Sequence, residues 1–256
     1  MESLTRKEDI MNDTSESMVY KPGQYRKKRL SVSEWSNAHI RNWADKQRKD
    51  AAQELKEIQP DAICFSRKIG VGALEIADLV AQKINFRVVD REILEHMAAD
   101  ANLTQRTVAF FDERYPGKMS DLMAMLIKEK SFMKNDYARQ LAKSVVALAN
   151  LEPTLFVGRG AHLLLPREKV LAVRFICSLE FRVKRLAKEL GIPDKDAETR
   201  LKKIDEEQRK FFKTVYDKKD ASPYEFDLVI NRDYITDAAA AAEIVAAAHG
   251  QKFKQI

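Results

Sequence analysis

The sequence predicts an α/β protein: a parallel sheet covered by helices on both faces. Two observations carry this. Short apolar runs of strand composition alternate with helical patterns from residue 61 to near residue 250, the order that buries both faces of a parallel sheet. The first of those runs ends in a glycine turn that opens a helix, "CFSRKIGVGALEIA" over residues 64–77, a layout that can present backbone N–H groups to a phosphate. A chain of 256 residues buries a full core as one large domain, or as one domain with an extension.

The elements follow in order. "DAICFS" from Asp61 is the first strand, and a helix runs from about Gly72 to Ile84. "FRVVD" (Phe86–Asp90) is the second strand; helical patterns then cover roughly 91–101, 104–114, 118–132 and 135–150. "TLFVG" (Thr154–Gly158) and "VLAVRFICS" (Val170–Ser178) are the third and fourth strands, followed by helices at about 179–190 and 194–214. "DLVIN" (Asp227–Asn231) is the fifth, and an alanine-rich helix from Asp237 stops near Gly250. Crossovers should be right-handed, and ligands should bind at the carboxyl ends of the strands.

The N-terminal sixty residues have another character. Residues 1–30 are polar, charged and without periodicity, and read as a disordered basic tail. Its run Arg26-Lys27-Lys28-Arg29 reads as solvated rather than as a nucleic-acid contact. Ser31-Val-Ser-Glu34 is a capping box and predicts a helix within 31–60, with Ile40, Ala44, Ala51, Leu55 and Ile58 on one face. That face packs on its own domain in the plainer reading; in the sharper one it receives a protein partner or a second copy of the chain. Residues 61–256 form the α/β domain.

A net charge of +6 and a pI near 9.1 suit anionic ligands. Cys64 and Cys177 fall in apolar runs and read as core thiols without a disulfide or metal pattern. The polar N-terminus is no secretory signal, and no apolar run is long enough for a bilayer. The expected setting is the cytoplasm, without a membrane partner. His96 and His162 carry no ligand spacing and read as structural.

The glycine turn admits three readings from its residues. Gly70-x-Gly72-x-x-Glu75 has two of the three glycines of a dinucleotide fingerprint, and Asp90 ends the second strand where a ribose-binding acid sits. Alternatively it is a phosphate loop in which the usual lysine falls on Ala73 and the magnesium-binding hydroxyl on Glu75; Arg67 and Lys68 would then supply the cation. Or the glycines only make a tight turn.

Four longer stretches narrow the choice. "SRKIGVGALEIADLVAQKINFRVVDREIL", "FVGRGAHLLLP" (Phe156–Pro166), Arg174 with "SLEFRVKRL" (Ser178–Leu186), and "SPYEFDLVINRDYIT" (Ser222–Thr236) resemble, in the right order, segments of the cytidylate kinase-like family. The resemblance spans about residues 61–250. It implies a P-loop NTPase three-layer sandwich with a five-stranded parallel sheet, a helical acceptor insertion and a helical lid. It implies transfer of the γ-phosphoryl group of ATP, with magnesium, to a nucleoside monophosphate such as CMP or to a related small acceptor.

On that resemblance, Ser66, Arg67, Lys68, Gly70 and Gly72 hold the nucleotide. Asp90, Arg91 and Arg159 meet the acceptor. Arg182 or Arg185 meets the transferred phosphoryl, together with Arg159 and, from the lid, Arg209. Lys202 and Lys203 share that lid helix. No metal ligand is assigned. The chain departs from the family pattern at Ala73 for a glycine, Leu74 for an arginine and Gln208 for a lid arginine, and from ordinary CMP kinases at Gly160, where those carry an acid. These departures support a second reading: a weak or inactive nucleotide-binding regulator acting through its N-terminal helix.

Overall fold

The computed structural model describes residues 61–114 and 118–253. The expected tail and N-terminal helix, with its partner or dimer role, lie outside these residues. The chain enters on β1 (Ala62–Arg67) and passes through α1 (Ala73–Ile84), β2 (Arg87–Val89), α2 (Arg91–Ala99), α3 (Ala101–Arg114), α4 (Lys118–Glu129) and α5 (Asp136–Leu151). It continues through β3 (Thr154–Val157), β4 (Val170–Ile176), α6 (Leu179–Leu190), α7 (Asp194–Tyr216), β5 (Leu228–Asn231) and α8 (Ala238–Lys252). The strands form one five-stranded sheet in the order β2-β3-β1-β4-β5, and every pairing is parallel.

The central strands are apolar at nearly every position because both faces are covered. Alternate residues of β1 serve different layers. Ala62 and Cys64 join a cluster with α2–α5, while Ile63 and Phe65 join one with α1 and α8. A third, smaller cluster unites α6 and α7 through Val183, Leu186, Leu201 and Ile204, and takes in Ile69 from the loop after β1. Cys64 lies fully in the core and Cys177 is partly buried; neither forms a disulfide, and burial pushes the Cys177 thiol up to about 11.

Side chains define several helix starts. Asp90, Asn135, Ser178 and Asp237 each accept from first-turn N–H groups, opening α2, α5, α6 and α8. Two expected boundaries shift. Asp100 accepts from the Leu103 N–H at 3.0 Å, so α2 ends before it and α3 begins at Ala101, not near 104. α4 ends at Glu129, and residues 131–134 form a short 3-10 turn instead. No described helix is long and apolar enough to cross a membrane.

Candidate functional site

The loop after β1 is shaped by two left-handed glycines, Gly70 (φ 89°) and Gly72 (φ 79°). Gly72 is the N-cap of α1 and has no side chain with which to cap that helix; a helix N-terminus of this kind suits an anion. Neither glycine has comfortable room for a side chain. A Cβ on Gly70 would lie 3.1 Å from the Cβ of Arg182, and one on Gly72 would lie 3.0 Å from the Arg185 guanidinium.

Two arginines of α6 thus ride directly on the loop, but they are engaged differently. Arg182 is buried and forks onto Asp205 of α7 with two 2.9 Å hydrogen bonds; its Nη1 also donates to the Ile69 carbonyl at 3.3 Å. Arg185 is partly exposed and pairs with Glu75, in the first turn of α1, at 2.9 Å and with Glu189 at 2.6 Å. Lys68 stands 3.8 Å from Asp205 with half its side chain in solvent. The Gln208 amide donates to the Arg67 carbonyl at 2.9 Å, tying α7 to the loop. Ser66 Oγ accepts from Arg174 at 2.7 Å.

A second basic group lies at the ends of β1, β2 and β3. Arg159 has a positive φ of 50° between Gly158 and Gly160, which share that sign. The run throws its side chain under α7, where the guanidinium stacks on Phe211 at 3.8 Å and pairs with Glu95. Arg91 holds the same Glu95 at 2.6 Å. Burial, then the like charges of Arg91 and Arg67, pull the Arg159 pKa down to about 9. The Arg67 side chain, itself buried, reaches within 3.4 Å of where a Gly158 Cβ would lie. Asp90 is placed otherwise: it is buried and its carboxylate accepts from the Ile93 N–H at 3.0 Å, so it serves as the cap of α2. Tyr216 donates to the Arg159 carbonyl at 2.5 Å, and its ring lies 2.8 Å from where a Gly160 Cβ would be. An acid at 160 would collide with it.

Between these groups a cavity of about 190 Å³ opens under α7, lined among others by Lys68, Arg174, Gln208, Arg209, Phe212 and Lys218. Burial lowers the Arg174 pKa, opposed by the carboxylates of Asp220 and Glu225. Arg209 is exposed at the rim.

The structure therefore gathers Ser66, Arg67, Lys68, Gly70, Gly72, Arg182 and Arg185 around one loop, Arg91 and Arg159 around Glu95, and Arg209 on the cavity between. Sequence reasoning missed Glu75, Glu95 and Asp205 as partners of these groups. Glu95 had a signal, four residues from Arg91 on one helix face; Asp205, 23 residues from Arg182, had none. Among the described residues no group of three or more His, Cys, Asp or Glu could hold a metal. A magnesium ion would rest on phosphate oxygens, water and the Glu75 carboxylate, a ligand set that suits this cation.

No curated protein matches the chain. Among solved structures, an uncharacterized protein from Eubacterium ventriosum is similar over 75% of this chain and 98% of its own, with 18% identity and a TM-score of 0.53, a likeness of fold. The shikimate kinase of Bacteroides thetaiotaomicron (13% identity, 76% and 99% covered, TM-score 0.39) and TT1252 from Thermus thermophilus (17%, 75% and 98%, TM-score 0.37) are more distant. The sequence profile of the cytidylate kinase-like family matches residues 62–234, well over half of the chain and the whole of the site just described, and the protein belongs to that family.

Proposed function

We propose that this protein transfers the γ-phosphoryl group of ATP to a nucleoside monophosphate or a related small phosphate-bearing acceptor. The observation that carries the reading is the glycine turn opening α1, with Arg185 resting on Gly72, beside a cavity to which Lys68, Arg174, Arg209 and Lys218 contribute. Nucleotide kinase-like phosphotransfer is the chemistry of the family at large; the acceptor is the finer step.

Phosphoryl transfer needs positioning and charge neutralisation more than covalent chemistry. The N–H groups of α1 cradle the triphosphate. Arg185 turns from Glu75 to the phosphates, because a multiply charged oxyanion outcompetes a half-exposed carboxylate. Arg182 does not move: its fork onto Asp205 orients α7. The acceptor lies in the cavity, with Arg174 and Arg209 along it and its phosphate toward Arg159 and Arg91. Magnesium, when bound, neutralises charge between the phosphates. With Tyr216 filling the space beside Gly160, the acceptor base is not read by an acid at that position.

Titration calorimetry across nucleoside triphosphates and monophosphates, followed by a phosphate-transfer assay on whatever binds, tests the reading. Binding of ATP plus transfer to a monophosphate supports it. The second reading, a nucleotide-binding regulator, is favoured by the engagement of Arg182, Arg185 and Arg159 with internal carboxylates. It becomes the better account if ATP binds and no acceptor is phosphorylated. Tight NAD binding without ATP binding would overturn both.

A further inference from the structure

Arg232 follows β5 and is 1% exposed, the largest of the fully buried side chains. Its guanidinium donates to backbone carbonyls and lies 5.9 Å from the centre of the Phe181 ring. Nε reaches Val71 at 3.4 Å, Nη1 reaches Ile235 at 2.5 Å and Asp237 at 3.0 Å, and Nη2 reaches Thr236 at 2.8 Å. No carboxylate among the described residues pairs with it. Burial, then the like charge of Arg185, lowers its pKa, opposed by Glu75 and Asp237; arginine stays protonated through such a shift.

Burying a guanidinium without a counter-ion is costly even when its N–H groups are satisfied. A neutral donor would brace the same carbonyls at lower cost. The charge sits beneath Val71, between the two left-handed glycines, on the side of the loop away from solvent. There it adds to the positive end of the α1 dipole, and low dielectric lets it act over a longer range than a surface cation. The next residue extends the brace: Asp233 accepts from the Ser178 N–H at 2.8 Å and from its hydroxyl at 2.7 Å, fixing the start of the helix that carries Arg182 and Arg185.

We propose that Arg232 is a positioning residue that supplies a fixed positive charge to the phosphate loop, replacing in charge, though not in contact, the lysine absent at Ala73. The proposal rests on the reading of this loop as a polyphosphate site. It makes Arg232 and Arg185 complementary: one cation is sealed under the turn and permanent, the other lies above it and is mobile.

The test is titration calorimetry of the full chain with inorganic tripolyphosphate, pyrophosphate and ATP at fixed ionic strength, on proteins whose fold is verified by circular dichroism. Arg232→Lys keeps the charge and loses the fork, and should bind tripolyphosphate within about threefold of wild type. Arg232→Met should lose about tenfold or more for tripolyphosphate, and less for pyrophosphate, because a charge effect scales with ligand charge. Equal losses in both variants, or equal losses for both ligands, would make Arg232 a structural brace only and overturn the proposal. Should the buried variants fail to fold, an exposed pair decides. Thr236→Asp sets a carboxylate beside the guanidinium, ahead of the α8 cap, and should weaken tripolyphosphate severalfold relative to Thr236→Asn; equality of that pair overturns the proposal. If wild type binds neither tripolyphosphate nor ATP, the phosphate-site reading falls and takes this one with it. If wild type binds and the charge variants match it, only the role of Arg232 falls.

Discussion

Arg182 and Arg185 stand one turn apart on α6 and are put to opposite uses. The Arg182 side chain is 5% exposed and its Asp205 partner 10%, so removing the arginine leaves that carboxylate with only the half-exposed Lys68 at 3.8 Å. Arg182→Met should cost about 3–5 kcal/mol of unfolding free energy, measured by urea denaturation. Arg185 keeps 24% of its side chain in solvent, where ion pairs contribute about 0–1 kcal/mol. Arg185→Met should leave the urea midpoint nearly unchanged and weaken ATP binding at least about tenfold. A large stability loss in Arg185→Met with unchanged ATP affinity would reverse these roles. A second residue-scale effect concerns pH. The hydrogen bond from His162, with those from Lys218 and the Ser222 N–H, holds the Glu225 carboxyl down to about 2 against its burial. Burial nevertheless lowers the His162 pKa, outweighing Glu225. The unfolded chain therefore takes up protons first as pH falls, at its histidine near 6.5 and later at its glutamate near 4.5. Stability from both is complete near neutrality and lost on acidification, with a slope of at most about 1.4 kcal/mol per pH unit per proton. His162→Gln should flatten the decline between about pH 7 and pH 5 without abolishing it, because burial lowers the His249 pKa in the same sense. An unchanged slope in pH-dependent denaturation would remove His162 from the linkage.

Among the elements, the glycine turns show how tightly helices seat on the strand ends. Gly160 and Gly191 both adopt left-handed backbone (φ 70° and 64°), yet a Cβ on Gly160 would lie 2.8 Å from the Tyr216 ring while one on Gly191 would meet nothing within 4 Å. Gly191→Ala should therefore cost only the backbone penalty of about 1–2 kcal/mol. Gly160→Ala should exceed it by at least about 1 kcal/mol through the clash, as compared by denaturant unfolding; equal costs would show that Tyr216 yields freely. This also marks where the sequence was legible. Strands announced themselves as apolar runs and helices as periodic segments between them, because such signals are local. The loop was visible for the same reason, as two glycines between a strand and a helix. What sets its chemistry was not visible. Asp205 reaching Arg182, Gln208 bonding the Arg67 carbonyl, Arg232 sealed under Val71 and Tyr216 filling the space beside Gly160 are all pairings between separate elements. No periodicity encodes them, and an arginine in the sequence does not announce whether it will face a phosphate or an internal carboxylate.

On the scale of the whole molecule, the α6–α7 hairpin is joined to the sheet by the end of α7, where Val215 and Tyr216 enter the core, while its tip packs on itself. The cluster at that tip is distinct from the two that sandwich the sheet, and Ile69 of the phosphate loop is built into it. Movement of the hairpin therefore moves the loop, and a ligand on the loop biases the hairpin. Polar contacts clasp the hairpin to the loop, Gln208 to the Arg67 carbonyl and Arg182 to the Ile69 carbonyl, and to its neighbours, Arg185 to Glu75 of α1 and Tyr216 to the Arg159 carbonyl after β3. Gln208 is the informative one to break. Its Nε2 makes the clasp while its buried Oε1 finds no partner, so a non-polar replacement removes an unsatisfied acceptor along with the bond. Gln208→Met keeps the volume, and its net stability change should stay within about 1.5 kcal/mol. What should change is opening. Amide exchange in α7 should accelerate without ligand, and ATP should associate and dissociate faster in stopped-flow binding, with dissociation affected more because the closed state is the one that loses a contact. Gln208→Arg supplies a different control: its fork can still reach the Arg67 carbonyl and adds a charge for the phosphates, so ATP should leave more slowly than from wild type. Unchanged α7 exchange and unchanged binding rates in Gln208→Met would mean that the hairpin is fixed by its apolar cluster alone. The site would then be a preformed pocket without a moving cover.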